Sequence, residues 1–344
     1  MHLFGGLLLL LLLLLIALCK AQDISQKLIC NPTGELPLAF DEQFEGSLAD
    51  IHGRWTLLDE CPRAACRTPD QVWVQDGQLH LRMTHREQPY EKDGKHIEFD
   101  VGGVVTKESM GFGYYEARVK FTSSGGFWQA FWLNASPNSV SPVPGPRQEH
   151  DIVEYIGGHE YIEITIWRWS PRPYEIVGKS RLELQQPRDY DSCLSYEVMR
   201  LSRSFTQEEV EKKAQWEGDP EQMVPGMNST MMREAEEFNP ADWHTYGMLY
   251  TPQVAFFYLD GFPVRKFDLS SKFSANELRR QYTFLTSQVT DTTAEEVTLP
   301  PGGEPEVMYV DHFKYYKLPG VQPGYAPYEM IMEAETDKDT ELGR

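Results

Sequence analysis

The stretch WHTYGMLYTPQVAFFYLDGFPVRKF, residues 243–267, decides how this chain folds. It reads as three short strands separated by two turns, the first at Thr251–Pro252 and the second at Asp260–Gly261. Pro presets the backbone for a turn, and Asp-Gly is a strong signal for a tight hairpin. The stretch therefore predicts consecutive antiparallel strands.

Segments of the same kind recur along the chain and are separated by turn residues. They are QVWVQDGQLHLRM (71–83), GFGYYEARVKF (111–121), GGFWQAFWL (125–133), EYIEITIWRW (160–169) and EVMYVDHFKYYK (306–317). Because helices do not alternate with these strands, we expect an all-β fold. The predicted architecture is a β-jelly-roll sandwich of two antiparallel sheets that spans residues 22–317.

Residues 170–240 break this pattern, since they are rich in charge and Pro. Within them, TQEEVEKKAQWEG (206–218) has a capping-box start at Thr206 and Glu209 and a stop at Gly218, which predicts a helix. We expect a partly helical insertion at 170–240 and a disordered acidic tail at 318–344.

The N-terminus carries an apolar run from Leu3 to Leu18, followed by small residues at Cys19 and Ala21. This pattern predicts a secretory signal peptide over residues 1–21 and a secreted protein. The alternative is an uncleaved anchor, for which the run is short.

Four cysteines follow the predicted signal: Cys30, Cys61, Cys66 and Cys193. In a secreted chain an even number predicts two disulfides, with three connectivities. Cys61 and Cys66 are near enough in sequence to pair with each other. Sequons at Asn134 and Asn228 are candidate glycosylation sites, and Asn228 is the better one because it lies in the polar insertion.

The formal net charge of −20 over 344 residues excludes some partners. A chain this acidic repels nucleic acid and anionic membranes, so we expect neither as a partner. A neutral substrate suits it better, and the chain has no run of Lys and Arg that would bind a heavily sulfated one. We expect a monomer.

Three carboxylates, Glu149, Asp151 and Glu154, lie among β-forming residues in RQEHDIVEYIGG, residues 147–158. On a regular strand Glu149 and Asp151 share a face and Glu154 points the other way. One β-bulge at 152–153 would return Glu154 to the first face. Such a row suits retaining glycoside hydrolysis, which needs a nucleophilic carboxylate and a protonated carboxylic acid about 5–5.5 Å apart.

Two other interpretations of the acids are a solvated strand face and a calcium site. Tryptophans on both sides of the acidic strand favour a sugar site instead, because aromatic rings stack on the apolar faces of sugars. These candidate substrate-binding residues are Trp128, Trp132, Trp167 and Trp169. Packing in the core is the alternative for some of them.

The segment EHDIVEY resembles the bulged E-x-D-x-x-E signature of glycoside hydrolase family 16. Five further segments resemble strands of that family in the same order: FDEQFEG, GFGYYEARVKF, GGFWQAFWL, WHTYGMLYTPQVAFFYLDG and VDHFKYYK. The resemblance covers residues 40–317 and implies a jelly roll with a substrate cleft across its concave sheet. It implies a retaining endo-hydrolase of a β-linked polysaccharide that needs no cofactor for catalysis.

Carried over by position, the resemblance makes Glu149 the nucleophile, Asp151 the supporting acid and Glu154 the general acid/base. His244 matches the His of the family's HTY strand and is a candidate substrate contact. Family members often carry a structural calcium, for which Asp311 is a candidate ligand.

Departures from the family pattern bear on the substrate. His150 stands where an aliphatic residue is usual, and Gln129 stands where many β-1,3-glucanases have Pro. Laminarin-type β-1,3-glucan is the first expected substrate, and a red-algal galactan such as agar, porphyran or carrageenan is the second. A non-catalytic glucan-recognition protein and a cell-wall transglycosylase are the alternative functions. Glu149 and Glu154 are both present, which favours the enzyme over the recognition protein.

Overall fold

A computed structural model describes residues 26–62, 64–137, 147–170, 175–183, 238–274, 277–289, 297–321 and 323. The predicted signal peptide, the predicted helix at 206–218 and the predicted acidic tail lie outside these residues, apart from the first few positions of the tail. Among the described residues, no helix is both long enough and apolar enough to cross a membrane.

The described chain is dominated by strands. They are β1 (Leu38–Glu42), β2 (Trp55–Leu57), β3 (Ala65–Arg67), β4 (Val72–Gln75), β5 (Gln78–Lys92), β6 (Lys95–Val101), β7 (Gly103–Thr106), β8 (Gly113–Lys120), β9 (Phe127–Asn134), β10 (Arg147–Ile156), β11 (Tyr161–Ser170), β12 (Glu175–Glu183), β13 (His244–Tyr250), β14 (Val254–Leu259), β15 (Phe262–Asp268), β16 (Tyr282–Val289) and β17 (Glu306–Lys317). The described helices are short: α1 (Gln26–Cys30), α2 (Pro32–Glu35), α3 (Leu48–Ile51) and a 3-10 turn (Pro69–Gln71).

The strands form two sheets, which confirms the predicted sandwich. The larger sheet has the order β15-β14-β13-β8-β17-β5-β6-β3, with β1 added to β17 and β4 added to β5. The smaller sheet has seven strands in the order β12-β11-β10-β9-β16-β7-β2. Neighbouring strands are antiparallel except for β3 and β6, which run parallel.

Asp-Gly turns close the hairpins that the sequence predicts. Asp76 and Gly77 connect β4 to β5 with φ of 55° and 71°, and Asp260 and Gly261 connect β14 to β15 with φ of 51° and 82°. A two-residue turn with both φ values positive matches the right-handed twist of the strands it joins, and Asp-Gly tolerates it.

The core lies between the two sheets and is filled by alternate residues of each strand. From the smaller sheet it receives Phe127, Phe131, Leu133 and Leu285, and from the larger sheet Val119, Tyr246, Phe257 and Phe313, all fully or almost fully buried. Period-two alternation leaves the other face of each sheet for the remaining side chains. We call that face of the seven-stranded sheet the acidic face, because β10 presents its carboxylates there.

The predicted insertion is shorter than residues 170–240, which is a correction. Residues 175–183 form β12, which pairs with β11 at the edge of the smaller sheet. Val177 enters the core, while Lys179 and Arg181 lie opposite Thr165 and Glu163 of β11. Residues 175–183 form a strand because core-facing and charged side chains alternate in them. Their charges alone predicted that they belong to the insertion.

The predicted local disulfide between Cys61 and Cys66 is present, with an S–S distance of 1.99 Å. Cys193 lies outside the described residues, so the second predicted pair stays a prediction.

Candidate active site

A β-bulge in β10 brings the three predicted carboxylates to the acidic face. Asp151 pairs with Trp132 of β9 and Val153 pairs with Phe131, so Ile152 is an extra residue without a partner in β9. Ile152 and Val153 are both buried in the core. Glu154 then pairs with Ala130, on the same side as Asp151. The predicted bulge at 152–153 is confirmed.

Glu149 is held by groups that stabilise its anionic form. Asn134 Nδ2 donates a 2.8 Å hydrogen bond to Glu149 Oε2, and a guanidinium nitrogen of Arg147 lies 3.8 Å from the same oxygen. Burial raises the pKa of Glu149 to about 7, and the opposing influences of Arg147, Trp169 and Asn134 keep it from rising further.

Asp151 is the most buried of the three acids, with 4% of its surface exposed. Trp167 Nε1 donates a 3.1 Å hydrogen bond to Asp151 Oδ2. Burial raises the pKa of Asp151 well above its ordinary value, and the charges of Glu154 and Glu149 raise it further. Asp151 is therefore suited to carry a proton between the two glutamates.

Glu154 accepts a 2.8 Å hydrogen bond from Trp128 Nε1 at its Oε1. Burial raises the pKa of Glu154 to about 8, with help from Glu149 and Glu163, and Lys179 opposes the shift. At neutral pH this carboxyl group can donate a proton.

A charged trio from β11 and β12 borders Glu154, and sequence reasoning missed it. Glu163 lies directly opposite Glu154 and forms ion pairs of 2.8 Å with both Lys179 and Arg181. The signal in the sequence was the alternation of Lys179 and Arg181 in EIVGKSRLE, but these charges were assigned to the insertion. Asn134 and Arg147 were missed as partners of Glu149.

The four predicted tryptophans lie on the acidic face. Trp132 stacks on Phe284 with ring centroids 4.2 Å apart, and its Nε1 donates to Thr286 Oγ1 at 2.9 Å. Trp167 and Trp169 stack on each other, with centroids 5.1 Å apart and planes inclined by 18°. Trp132 is 8% exposed, so it serves packing as well as any contact with a sugar.

The structure does not bring His244 to the acids. It lies on β13 of the other sheet, where its Nδ1 is 2.8 Å from Asp260 Oδ2 and its Nε2 is 3.1 Å from the carbonyl of Asn239. His244 therefore lies beside the β14–β15 turn and not on the acidic face. The HTY segment was predicted correctly as a strand, but its position on the larger sheet does not support the predicted contact of His244 with substrate at the acids.

The surroundings of Asp311 do not fit a calcium site. Its carboxylate lies 3.4 Å from the Arg118 guanidinium and 3.0 Å from His312 Nδ1, and a cation beside the carboxylate disfavours a second one. Within the described ranges, no group of three or more His, Cys, Asp or Glu side chains is placed to hold a metal ion. A structural calcium stays a prediction.

Two departures noted in the sequence have structural consequences. His150 is fully buried beneath the acidic face, its ring 4.9 Å from that of Tyr250, and neither ring nitrogen has a hydrogen-bond partner among the described residues. Gln129 is fully buried and clamps the segment before β9, since it accepts from Thr122 N at 2.8 Å and donates to Thr122 O at 2.9 Å.

The model of the family "Glycosyl hydrolases family 16" matches residues 63–168, a range that contains β9, β10 and all three carboxylates. Over these residues the chain is similar to that family. A similar protein is β-porphyranase D of Zobellia galactanivorans, which is 34% identical over 129 residues. The match covers 34% of this chain and 29% of that relative, so the chain spans well under a third of the relative's length.

Solved structures share the fold of this chain. LamAcat from Zobellia galactanivorans gives a TM-score of 0.56 at 16% identity, covering 83% of this chain and 100% of that one. Porphyranase B from Zobellia galactanivorans gives 0.55 at 14% identity, covering 82% and 93%. At these identities the likeness shows the jelly roll and carries nothing about the substrate.

Proposed function

We propose that the chain is a secreted endo-glycosidase that hydrolyses internal β-linkages of a polysaccharide with retention of anomeric configuration. One observation carries the proposal: the bulge of β10 presents Glu149, Asp151 and Glu154 on one face, each bonded to a different neighbouring side chain. Retaining hydrolysis needs a carboxylate and a carboxylic acid that differ in protonation at the working pH.

In the first step, the Glu149 carboxylate attacks the anomeric carbon while Glu154 protonates the departing glycosidic oxygen. The bond from the anomeric carbon to that oxygen breaks, and a glycosyl ester of Glu149 forms. Glu149, with a pKa of about 7, ionises before Glu154, whose pKa of about 8 lets it keep the proton that it must donate.

In the second step, the Glu154 carboxylate removes a proton from water, which attacks the anomeric carbon of the ester. The ester bond breaks and Glu149 leaves as a carboxylate, so two inversions give net retention. Asp151 is a positioning residue. When it is protonated, it places a neutral group between the carboxylates of Glu149 and Glu154. Trp167, which donates to Asp151, holds that carboxyl group in place.

We expect the substrate to be a β-glucan or a red-algal galactan. Laminarin-type β-1,3-glucan is the first candidate. Sequence similarity to a β-porphyranase over 129 residues supports a galactan as the second candidate. Lys179 and Arg181 share the single carboxylate of Glu163, and the net positive charge of this trio at the edge of the acidic face suits a substrate with anionic groups.

Release of reducing ends from laminarin, mixed-linkage glucan, agarose, porphyran and carrageenan tests the proposal. We expect strong release from one of these polymers by the mature chain, and loss of about 10³-fold or more in Glu149→Ala. A first-formed product with inverted anomeric configuration would contradict the retaining mechanism. Binding without release on every polymer would make the chain a recognition protein.

Rescue with azide distinguishes the two glutamates. In Glu149→Ala, azide can enter the space of the missing carboxylate and attack the anomeric carbon, while Glu154 still protonates the leaving oxygen. We expect a glycosyl azide of inverted configuration. In Glu154→Ala with an activated aryl glycoside, azide would instead attack the ester on Glu149, and the glycosyl azide would have retained configuration.

A further inference from the structure

A row of aromatic side chains crosses the outer face of the ten-stranded sheet, on the side of the molecule away from the acidic face. Trp73 of β4 lies directly opposite His80 of β5, and His80 lies opposite Tyr309 of β17. Tyr309 lies opposite Lys120 of β8, and Trp243 immediately precedes β13 beside Lys120. We call these five residues the aromatic row.

The row points outward because its sequence neighbours fill the core. Leu79 and Leu81 flank His80, Met308 and Val310 flank Tyr309, and all four are fully buried in the core. The five members of the row are partly exposed. Four inter-strand steps separate Trp73 from Trp243, so the row is roughly 19 Å long. That length accommodates several pyranose units laid across the strands.

Neighbouring rings of the row pack against each other with their planes inclined by 43°, 69° and 62°. The centroids of Trp73 and His80 are 4.7 Å apart, those of His80 and Tyr309 are 4.9 Å apart, and those of Tyr309 and Trp243 are 6.5 Å apart. Aromatic rings with one apolar face toward solvent are the groups that stack on sugar rings. Cross-strand aromatic pairs also stabilise a sheet, but they do not require a row across five strands.

Cations accompany the rings, although the chain as a whole is strongly acidic. Arg82 lies 5.6 Å from the ring of Trp73, Lys120 lies 6.0 Å from that of Tyr309, and Arg118 lies 5.0 Å from that of Trp243. Arg118 is paired with Asp311, whereas no described carboxylate forms an ion pair with Lys120. Asp70 interacts with Arg82 and Asp76 with His80, so Lys120 is the cation of the row for which no ion pair with a described carboxylate is seen.

We infer that the aromatic row is a second polysaccharide-binding surface, separate from the acidic face, and that its ligand is a sulfated galactan chain. The rings would stack on the galactose units, and Lys120 and Arg82 would contact sulfate groups, which are complementary to them in charge. Such a surface would keep the enzyme on a polymer between cleavage events. The inference goes beyond the proposed hydrolysis and does not depend on which polymer is cleaved.

Affinity electrophoresis in gels that contain porphyran tests this surface, with Glu149→Gln as the background so that the polymer stays intact. We expect retardation by porphyran to exceed that by laminarin. Trp73→Ala and Lys120→Glu should each weaken the retardation by roughly fivefold. Added KCl should weaken it in the background protein and have less effect in Lys120→Glu.

Two matched controls lie on the same sheet outside the row. Phe262 on β15 is 36% exposed, and Lys266 on β15 lies 5.6 Å from the ring of Phe256. Phe262→Ala and Lys266→Glu should migrate like the background protein. Thermal unfolding of every variant checks that the fold is retained, and Lys120→Glu, a change at a partly exposed site, keeps the test valid if Trp73→Ala is unstable.

Three results would overturn the inference. The first is retardation by porphyran that the row variants leave unchanged. The second is no retardation by porphyran in the background protein. The third is concentration-dependent dimerisation in sedimentation that the row variants abolish, since the row would then bind a second copy of the chain. Reducing-end release tests the hydrolysis independently, so either idea can fail alone.

Discussion

Asp151 and Glu154 share one face of β10 although three positions separate them. Asp151 pairs with Trp132, and Glu154 pairs with Ala130. These partners are two positions apart on β9, whereas Asp151 and Glu154 are three positions apart on β10, so β10 contains one additional residue. Ile152 is the additional residue. The bulge places two consecutive apolar residues in the core and leaves the spacing of the acids equal to that on a regular strand.

Deletion of Ile152 should therefore preserve the face of all three acids. Val153 would keep Phe131 as its partner and Glu154 would keep Ala130, because the rest of the register is already regular. We expect a folded protein that is destabilised by about 2–5 kcal/mol through the loss of a buried side chain, and that retains measurable activity.

Deletion of His150 is the matched control. It would turn Glu149 toward the core and bury its carboxylate, so activity should be lost. Denaturant unfolding and reducing-end release measure both variants. Loss of the fold on deletion of Ile152, with deletion of His150 tolerated, would contradict this account of the bulge.

The local features of the fold could be predicted from the sequence, because they depend on neighbouring residues. The Asp-Gly hairpins, the alternation of GFGYYEARVKF and the bulge after Asp151 are examples, and the structure has all three. The pairing of strands far apart in the chain, such as β9 with β16, is set by tertiary packing. The residue pattern alone does not specify it.

The sequence predicted the three acids of the site but not the side chains that contact them. Glu149, Asp151 and Glu154 are close in sequence, so their spacing was visible. Lys179 reaches them only because β12 pairs with β11, and His244 lies away from them because its strand belongs to the other sheet. From the sequence, a charged edge strand cannot be distinguished from a charged loop, because its pairing with another strand is not visible there.

Glu154→Gln should stabilise the protein in mildly alkaline solution. Burial raises the pKa of Glu154 to about 8, so the folded wild type binds this proton more tightly than the unfolded chain does. The stability that Glu154 contributes through this proton is fully present below pH 4.5 and is lost as the pH rises toward 8. We expect the Tm of Glu154→Gln to exceed that of the wild type by several degrees at pH 8.5.

Near pH 4 the two melting temperatures should agree, because both side chains are then neutral. The amide oxygen of Gln can still accept from Trp128, so the substitution preserves that hydrogen bond. Differential scanning calorimetry at the two pH values makes the comparison. An equal difference in Tm at both would mean that ionisation of Glu154 is not its cause.

Activity should follow a bell-shaped pH profile with limbs near pH 7 and pH 8. The acidic limb reports ionisation of Glu149 and the alkaline limb reports loss of the proton from Glu154. Lys179 lowers the pKa of Glu154, so Lys179→Met should raise that pKa and move the alkaline limb to higher pH. kcat/KM measured from pH 5 to 10 gives both limbs.

Arg181→Met is the control for Lys179→Met. Both cations lie 2.8 Å from Glu163, but only Lys179 affects Asp151 and Glu154 directly. The alkaline limb should move less in Arg181→Met. Equal displacement in the two variants would assign the effect to Glu163 alone.

His150→Met should reduce the loss of stability in acid. Burial lowers the pKa of His150 to about 3, so the folded state excludes a proton that the unfolded chain binds below about pH 6.5. Stability from this site is complete above that pH and is lost as the pH falls toward 3. Between pH 7 and pH 4.5 the Tm of the variant should fall less than that of the wild type.

His96→Gln serves as the control, since the His96 side chain is 58% exposed whereas His150 is fully buried. It should lose as much stability in acid as the wild type. Should His150→Met instead follow the wild type at every pH, carboxyl groups rather than His150 would account for the acid sensitivity.

Asn134 lies in a sequon, yet its amide belongs to the acidic face. It is fully buried, donates to Glu149 Oε2 at 2.8 Å, and its Oδ1 accepts from Arg147 Nε at 3.1 Å. Asn134→Asp would place a second carboxylate beside Glu149 and raise the pKa of that residue. We expect the acidic limb of the profile to move to higher pH.

Asn134→Ala removes the hydrogen bond without adding a charge, so it should move the acidic limb less and lower kcat through poorer orientation of Glu149. Both substitutions destroy the sequon, and any effect of a glycan would therefore be common to them. The difference between the two profiles isolates the charge beside Glu149. Identical profiles would show that Asn134 does not control its ionisation.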